Sequence, residues 1–326
     1  MTEPLALVTG ATGMVGAAIV RALLGRRCRV RVLARDPERA RSLWGSAVEV
    51  LAGDLRAPAS LVRACQGVSD LYHAAALVGD GPETALRETN VEGTRHLLRA
   101  ARASGVARIA FTSSVSVYGD GLRPGVAEDA PLAPQSAYGL SKVEAEEAVR
   151  EIARDGVHAV ILRPCIVYGP GDRYFTPQLL SAVRFPVLPL PDGGGHLVDL
   201  VHADDVAAAH ILALERGVSG QAYNVTDGRR HTVREIIGWG AEAAGRSPWC
   251  PALSRRTARF VLPGLRLLGR LLKIPELARL RDQDLAVFFG DYHFDISRIV
   301  RLGFAPRVLA PDGVPACLRA WRPARP

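Results

Sequence analysis

The sequence has few cysteines and lacks the marks of an exported or membrane-spanning chain. Its 326 residues include five cysteines, which lie far apart and form no CxxC pair. This pattern argues against a disulfide framework and fits a reducing, cytoplasmic setting. The N-terminal stretch MTEPLALVTG has no basic residues of the kind that open a signal peptide. No run of about 18 uncharged apolar residues is present, so we expect no spanning helix.

Metal-ligand patterns and nucleic-acid motifs are also missing. No histidine pairs with Asp, Glu or Cys at ligand spacing, so we expect no metal site. The net charge is +8, yet the arginines are mostly dispersed and no aromatic stacking pattern accompanies them. We therefore expect no nucleic-acid partner and interpret the charge as solvated helix faces. An anionic partner, such as a phosphorylated cofactor or a membrane surface, is the alternative.

Short apolar strands alternate with amphipathic helices through the first half of the chain. Helical spacing marks the segments Val91–Ser104 and Ser136–Arg154. The strand-like runs are Leu5–Val8, Arg29–Ala34, Val48–Ala52, Asp70–Ala74, Ile109–Ser113 and His158–Arg163. Repeated β-α units of this length predict an α/β fold with a Rossmann-type, doubly wound parallel sheet.

The composition changes after Pro164, where residues 164–195 become rich in proline and glycine. We expect a dinucleotide-binding domain over residues 1–165 and a smaller, mainly substrate-binding C-terminal lobe over residues 166–326. Parts of 200–226 are expected to return to the core, because 201–214 and 222–225 have the pattern of a helix and a strand.

A glycine-rich turn, TGATGMVG at residues 9–16, joins the first strand to the first helix. Gly10 and Gly13 allow a tight turn and a close approach to a pyrophosphate, and Gly16 lets the helix pack on the sheet. The helix N-terminus offers unpaired N–H groups and partial positive charge. A plain strand-to-helix turn is the alternative. The residues predicted to hold a dinucleotide here are Gly10, Thr12, Gly13, Met14, Val15 and Gly16.

The end of the second strand bears on the choice between the two nicotinamide cofactors. NAD usually needs a carboxylate there for the ribose 2′-hydroxyl, whereas an arginine can hold the 2′-phosphate of NADP. Arg35 favours NADP(H) through charge-assisted, bidentate bonding, and Asp36 keeps NAD(H) open. Both residues could instead be a solvated pair capping a helix that begins at Pro37.

Two residues four positions apart, Tyr138 and Lys142, lie on one face of a predicted helix. A free tyrosine titrates near pH ~10. We expect the ammonium of Lys142, helped by the nicotinamide ribose, to lower the pKa of Tyr138, which then exchanges a proton with a carbonyl or an alcohol. Lys142 is also expected to bind the nicotinamide ribose. A surface pair on a helix is the alternative.

A serine at the carboxyl end of the strand Ile109–Ser113 completes the predicted catalytic set. Ser114 stands where parallel sheets bind ligands, and its hydroxyl can hydrogen-bond the reacting oxygen. Ser113 is a competing candidate, and a strand-end serine that caps a turn is the structural alternative.

Taken together, the motifs resemble those of extended short-chain dehydrogenases/reductases over nearly the whole chain. The motifs that carry the resemblance are TGATGMVG, GDL (Gly53–Leu55), HAAA (His73–Ala76), NVEGT (Asn90–Thr94), TSSVSVYG, YGLSK and LRPCIVYGPGD. The resemblance implies that Ser114 is the catalytic serine, because it stands four residues before the Tyr118 of VYG.

The same resemblance implies further site residues. It places Asp54 and Leu55 beside the adenine and Asn90 in a supporting helix. It also implies that Ala74, Ala75 and Ala76 line the cofactor cleft and that Pro164, Cys165 and Ile166 lie beside the nicotinamide. The residues expected to face substrate are Val78, Val115, Ser116 and Tyr174.

Within that family, the sequence is similar to 3β-hydroxysteroid dehydrogenases and dihydroflavonol reductases. The segments VRVLARDP, VDLVHADDVAAAHILALE, AYNVTDG and FDISRIVRLGFAPR carry this similarity. It implies an NADP(H)-dependent oxidoreductase that interconverts a ketone and a secondary alcohol on a small hydrophobic substrate of steroid, polyketide or β-keto acid type.

Other functions remain open at this point. An NAD-dependent nucleotide-sugar epimerase or dehydratase is the alternative enzyme, although many such enzymes carry an asparagine where this chain has Ile166. A non-catalytic NADP-binding subunit is disfavoured because Tyr138 and Lys142 are both present. The family resemblance implies a homodimer through the two long helices. The basic apolar segment 257–274 is interpreted as a packed amphipathic helix, with a lid or a peripheral membrane contact as the alternative.

Overall fold

The computed structural model describes residues 4–79, 81–120, 123–254 and 290–321, together with positions 257, 263, 264, 266, 267, 269 and 271. Most of the segment 257–274 lies outside the described residues. Within the described part, no helix combines the length and apolarity needed to cross a membrane.

A seven-stranded sheet, with every neighbouring pair of strands parallel, forms the centre of the fold. Its strands are β1 (Leu5–Thr9), β2 (Arg29–Ala34), β3 (Glu49–Ala52), β4 (Asp70–His73), β5 (Arg108–Thr112), β6 (His158–Pro164) and β10 (Ala222–Val225). Their order across the sheet is β10-β6-β5-β4-β1-β2-β3. The order reverses between β1 and β4, and open α/β sheets bind ligands at the carboxyl ends of the strands at such a point. The predicted fold class is confirmed.

Helices cover both faces of the sheet. They are α1 (Met14–Gly25), α2 (Pro37–Trp44), α3 (Pro58–Cys65), α4 (Glu83–Leu86), α5 (Gly93–Ala103), α6 (Ala137–Arg154) and α8 (Ala203–Arg216). Alternate β1 residues explain this layering, because Val8 packs in one apolar cluster with α1 and α8 while Leu7 packs in another with α3, α5 and α6. Burial on both faces is the reason that the parallel strands are almost continuously apolar.

The C-terminal part contributes a third apolar cluster, which includes Tyr168, Leu179, Ile236 and Val314. The further elements of the C-terminal part are β7 (Ile166–Tyr168), α7 (Phe175–Ala182), β8 (Leu190–Pro191), β9 (Leu200–His202), α9 (Val233–Ala243), β11 (Ala252–Leu253), α10 (Ser297–Val300) and α11 (Ala310–Ala320). Within 200–226, β10 forms an edge of the central sheet and α8 packs with α1 in the first cluster. The division of the chain into two domains stays a prediction.

We expect Gly16→Ala to destabilise the fold, because the close approach of α1 to the turn that follows β1 leaves no room for a methyl group. A Cβ at Gly16 would lie 2.2 Å from the carbonyl oxygen of Gly10. Relieving that overlap should cost about 1–3 kcal/mol of unfolding free energy. Urea unfolding measures the loss. Gly25→Ala is the matched control at the end of the same helix, where a Cβ would meet nothing within 4 Å; an equal loss there would contradict the steric explanation.

Candidate active site

The glycine turn after β1 lies at the reversal of strand order and packs closely against the loop after β4. Gly10 adopts φ +74°, and a Cβ there would lie 2.7 Å from the backbone nitrogen of Ala75. Helix α1 begins at the exposed Gly13 with no side-chain cap and no acidic residue in its first turn. The first N–H groups of a helix lack partners within it. The turn therefore suits an anionic group, and Thr12, Met14 and Val15 lie half-buried at the same turn.

One contact to this turn was not predicted from the sequence. The indole Nε1 of Trp44, the last residue of α2, donates to the carbonyl oxygen of Ala11 at 3.2 Å. Trp44 thereby fixes the backbone of the glycine turn from the side. No local pattern indicates this contact, because the two residues are 33 positions apart.

Asp36 and Arg35 have different roles in the structure. The carboxylate of Asp36 accepts from the backbone N–H of Arg39 at 3.0 Å and caps α2, and Pro37 stands in the first turn. The capping alternative is thus correct for Asp36. Arg35 is exposed at the end of β2, and its charge helps to lower the pKa of Asp54.

Asp54 and Leu55 follow β3. A two-point ion pair with Arg56, with distances of 3.1 and 2.9 Å to the guanidinium, is the main cause of the lowered pKa of Asp54. Leu55 is buried, and a Cβ added to Gly93 would lie 2.7 Å from the Cβ of Leu55. Of the two residues expected beside adenine, Asp54 keeps a partly exposed side chain and Leu55 belongs to the core.

The structure brings Tyr138 and Ser114 together. Tyr138 lies in the first turn of α6, which begins after Ser136, whose hydroxyl accepts from Gly139 N–H at 3.0 Å. Ser114 follows β5, where its hydroxyl accepts from the Ser116 N–H at 3.2 Å, and it lies near enough to Tyr138 to affect the pKa of the phenol. Ser113 instead donates to Glu146 at 2.6 Å. The geometry therefore favours Ser114 over Ser113 as the serine beside the tyrosine.

The titration of Tyr138 differs from the prediction. Burial raises the pKa of Tyr138 above its ordinary value, although the hydrogen bond from Ser114 opposes that rise. Lys142 does not lower it: its ammonium lies 5.7 Å from the centre of the Tyr138 ring and donates to the Thr112 carbonyl at 2.9 Å. The expected lowering by lysine was wrong for this structure, because desolvation of the phenol dominates. Tyr138 is consequently a protonated phenol at neutral pH.

Lys142 itself is fully desolvated. Burial lowers the pKa of Lys142 to about 8, and the negative charge of Glu146 opposes this fall. The ammonium also lies 4.9 Å from the centre of the Phe111 ring. Lys142 is therefore still mostly charged at neutral pH.

A buried ion pair, which was not predicted from the sequence, lies beneath the predicted catalytic residues. Arg163, which is 1% exposed, contacts the Glu146 carboxylate at 2.8 and 2.6 Å. The same guanidinium donates to the Tyr118 hydroxyl at 2.7 Å. Arg150 contacts Glu146 at 2.7 Å from the next turn of α6. The sequence shows Glu146 four residues after Lys142, but it does not show that Arg163 on β6 is the partner of Glu146.

The loop after β4 is anchored from two directions. Ala75 N–H donates to the Thr9 hydroxyl at 3.2 Å. The side-chain amide of Asn90 accepts from Leu77 N–H at 2.8 Å and donates to the Leu77 carbonyl at 2.9 Å. Asn90 thus anchors this loop to the helical segment that precedes α5, and its role in the site stays a prediction. The half-buried residues that this anchoring positions are Ala74, Ala75 and Ala76.

Predicted substrate residues lie at the outer side of Tyr138. Val78 and Tyr174 are 43% and 50% exposed, and the Tyr174 hydroxyl lies 3.4 Å from the Val78 carbonyl oxygen. Tyr174 also lies near enough to Tyr138 to affect its pKa. Val115 is half-buried beside Ser114, and the buried Ser116 hydroxyl has no hydrogen-bond partner among the described residues. This side combines apolar surface with one unsatisfied hydroxyl.

The residues expected near the nicotinamide follow β6. Pro164 ends that strand, and Cys165 N–H donates to the Val225 carbonyl at 3.1 Å. Burial raises the pKa of the Cys165 thiol, so it stays uncharged. Ile166 begins β7 and is half-buried. In the described ranges, no group of three or more His, Cys, Asp or Glu residues could hold a metal ion.

Comparison with known proteins agrees with this arrangement. Residues 6–226 match the NAD dependent epimerase/dehydratase family. The chain belongs to this family. As a member of the NAD dependent epimerase/dehydratase family with named reductases among its relatives, it is an NAD(P)-dependent oxidoreductase.

The curated relatives include enzymes named for apolar substrates. The chain is 37% identical to Sterol demethylase protein B of Methylococcus capsulatus, over 73% of this chain and 74% of that protein. It is 29% identical to 2-alkyl-3-oxoalkanoate reductase of Stenotrophomonas maltophilia, over 94% of this chain and 96% of that protein.

Solved structures of this family are similar over almost the full length. The crystal structure of gox2253 matches with a TM-score of 0.79 at 30% identity, over 97% of each chain. UDP-glucose 4-epimerase of Thermus thermophilus, in complex with NAD, matches with a TM-score of 0.76 at 26% identity. That match covers 98% of this chain and 100% of the epimerase.

Proposed function

We propose that this oxidoreductase interconverts a ketone and a secondary alcohol on a hydrophobic substrate, with NADP(H) as its cofactor. The observation that carries the proposal is the protonated phenol of Tyr138, which lies near enough to Ser114 and to the exposed Tyr174 for both to affect its pKa. Tyr174 in turn lies beside the exposed Val78. Relatives named as reductases of 2-alkyl-3-oxoalkanoates and of a farnesyl-bearing ketone support the substrate class.

The residues present fit a nicotinamide dinucleotide. Glycine is required at position 10 because a Cβ there would collide with the backbone of Ala74 and Ala75, and its absence lets the tight turn that suits a pyrophosphate lie against the loop after β4. The uncapped start of α1 suits the pyrophosphate. Arg35 would hold the 2′-phosphate, since the Asp36 carboxylate already caps α2. Lys142 would hold the nicotinamide ribose.

The chain's own groups handle the proton. When bound, the cofactor supplies a hydride to the carbonyl carbon of the substrate. Tyr138 donates its phenolic proton to the carbonyl oxygen, and the alcohol results. Ser114 donates a hydrogen bond to the same oxygen and stabilises the charge that develops there. The alcohol-to-ketone direction requires Tyr138 to begin as a tyrosinate, and its raised pKa keeps that deprotonated form scarce before substrate binds.

The substrate is expected to lie between the loop after β4 and the loop before α7. Val78, Val115 and Tyr174 supply apolar contacts, and the unsatisfied hydroxyl of Ser116 is a hydrogen-bond donor for a polar group on the substrate. A homodimer through the segments 91–104 and 136–154 stays a prediction.

A second candidate, a nucleotide-sugar epimerase or dehydratase, is favoured by one observation. Structures that bind NAD, including a UDP-glucose 4-epimerase and a dTDP-glucose 4,6-dehydratase, match at 26% identity. This candidate predicts NAD that co-purifies with the protein and no net consumption of added cofactor.

We expect Arg35→Ala to weaken NADPH binding about tenfold, because it removes a charge-assisted hydrogen bond to the 2′-phosphate. The affinity for NADH, which lacks that phosphate, should stay within about twofold of the wild-type value. The measurement is a titration of the purified protein with NADPH and NADH, followed by nicotinamide fluorescence. Arg29→Ala, at the amino end of the same strand, is the charge-matched control. A wild-type preference for NADH would overturn the NADP assignment, and co-purifying NAD would favour the epimerase or dehydratase.

The charge of Lys142 predicts the pH dependence of ketone reduction. Because its pKa is lowered to about 8, the ammonium loses its proton as the pH rises through that value. We expect cofactor binding and turnover to fall above pH ~8, whereas a lysine at its ordinary pKa would stay charged to pH ~10. Initial rates between pH 6 and 10 test this expectation. A profile that stays flat to pH 10 would contradict it.

A further inference from the structure

Five buried side chains form one continuous chain of hydrogen bonds between the glycine turn and the catalytic helix. They lie on β1, β4, the segment before α5, α5 and α6, and are Thr9, His73, Asn90, Thr94 and Ser141. All five are buried, at the reversal of strand order. None of them is expected to touch the reacting atoms.

The first half of this series of hydrogen bonds is centred on His73. Its Nδ1 lies 2.7 Å from the Thr9 hydroxyl and its Nε2 lies 2.9 Å from the Thr94 hydroxyl. Thr9 is the residue before Gly10, and its hydroxyl also accepts from Ala75 N–H. The imidazole therefore joins the glycine turn to α5.

The second half of this series of hydrogen bonds leads from Thr94 to Tyr138, the proposed catalytic tyrosine. Thr94 donates to the Asn90 carbonyl at 2.6 Å, within a π-helical turn that covers Arg87–Glu92. The Asn90 amide donates to the Ser141 hydroxyl at 3.0 Å, and Ser141 donates to the Tyr138 carbonyl at 2.7 Å. Irregular turns of this kind often occur at functional sites.

The donors and acceptors fix the tautomer of His73. Because the Thr94 hydroxyl donates its proton to the Asn90 carbonyl, its oxygen accepts from Nε2–H of His73. Nδ1 of His73 then accepts from the Thr9 hydroxyl. Burial, together with the positive charge of Lys142, lowers the pKa of His73 to about 3, so the ring stays neutral. Every bond in the chain then has one donor and one acceptor.

We propose that His73 is a positioning residue that couples occupation of the glycine turn to the alignment of Tyr138, through Thr94, Asn90 and Ser141. The inference rests on the proposed dinucleotide site. A ligand that orders the turn restrains Thr9, and the restraint passes to Leu77 through Asn90 and to the first turn of α6 through Ser141. His73 thereby organises the catalytic helix before substrate arrives.

The test uses ADP, which has the diphosphate but neither nicotinamide nor its ribose and so cannot touch Tyr138 or Lys142. Calorimetry gives ADP affinity, and hydrogen exchange with mass spectrometry follows the amides of Leu77 and of residues 139–142. In the wild type, we expect ADP to slow exchange at both places about fivefold, the factor for one buried hydrogen bond.

Thr94→Val keeps the shape of the side chain and breaks the link to His73. We expect it to bind ADP as the wild type does and to lose the slowing at both places, whereas Thr94→Ser keeps the hydroxyl and the slowing. Ser141→Ala, which breaks only the final link, should keep the slowing at Leu77 and lose it at 139–142; it also serves if Thr94→Val does not fold.

The outcomes separate the two ideas. ADP binding with equal slowing in the wild type and in Thr94→Val or Ser141→Ala would overturn the coupling. So would ADP binding that leaves these amides unchanged in the wild type. Absence of ADP binding to the wild type would overturn the dinucleotide site, and the coupling with it.

Discussion

Tyr138→Phe is expected to lower the rate of ketone reduction by about 100- to 10,000-fold, the range for loss of a general acid. The variant keeps the ring and removes only the group that donates the proton. NADPH affinity should stay within about twofold, because Tyr138 adds little to the contacts made by the glycine turn and Arg35. Turnover with a panel of hydrophobic ketones and a fluorescence titration with NADPH measure the two quantities.

The matched control for this variant is Tyr72→Phe. Tyr72 lies on β4 and is also buried, but its ring belongs to the apolar cluster beneath α1 and α8. Removal of its hydroxyl should leave turnover unchanged. Full activity in Tyr138→Phe, or an equal loss in Tyr72→Phe, would refute the role assigned to Tyr138.

Arg163→Met is expected to destabilise the protein by about 3–5 kcal/mol of unfolding free energy, because it leaves the Glu146 carboxylate without its main partner in the interior. The carboxylate side chain of Glu146 is 0% exposed, and its remaining donors would be Arg150 and Ser113. The Tyr118 hydroxyl would also lose the guanidinium contact. Urea unfolding monitored by circular dichroism measures the change.

The double variant Glu146→Leu/Arg163→Met distinguishes a stranded charge from lost packing. If the cost of the single change comes mainly from the unpaired carboxylate, removal of both charges should recover about half of the loss or more. A double variant less stable than Arg163→Met alone would show that lost packing, and not the unpaired carboxylate, accounts for the cost of the single change.

Much of the architecture was predictable from the sequence, because each β-α unit carries its own signals. Apolar runs ended at turn residues, and β2 and the predicted run Arg29–Ala34 agree residue for residue. The helix predicted from Ser136 begins one residue later, with Ser136 as its cap. The helix predicted over 91–104 is divided into a π-helical turn and α5, since period alone does not separate a π turn from an α turn.

The candidate site was predictable in its members and less so in its chemistry. Spacing placed Tyr138 and Lys142 on one helix face, but the pKa of Tyr138 depends first on desolvation in the folded protein and then on Ser114 and Tyr174, which come from distant segments. The pairing of Arg163 with Glu146, and of His73 with Thr9 and Thr94, joins elements that only the folded sheet brings together. The roles of the cofactor and substrate residues stay predictions.

Because Trp44 donates a hydrogen bond to Ala11, its fluorescence is expected to respond to changes in the glycine turn. Indole emission responds to the partner of its N–H group, and the indole N–H of Trp44 contacts the backbone of the turn where a dinucleotide is expected to bind. The chain has four tryptophans, so a Trp44→Phe difference spectrum would isolate its signal. Loading of the turn could then be followed in unlabelled protein, in real time and in the absence of any substrate.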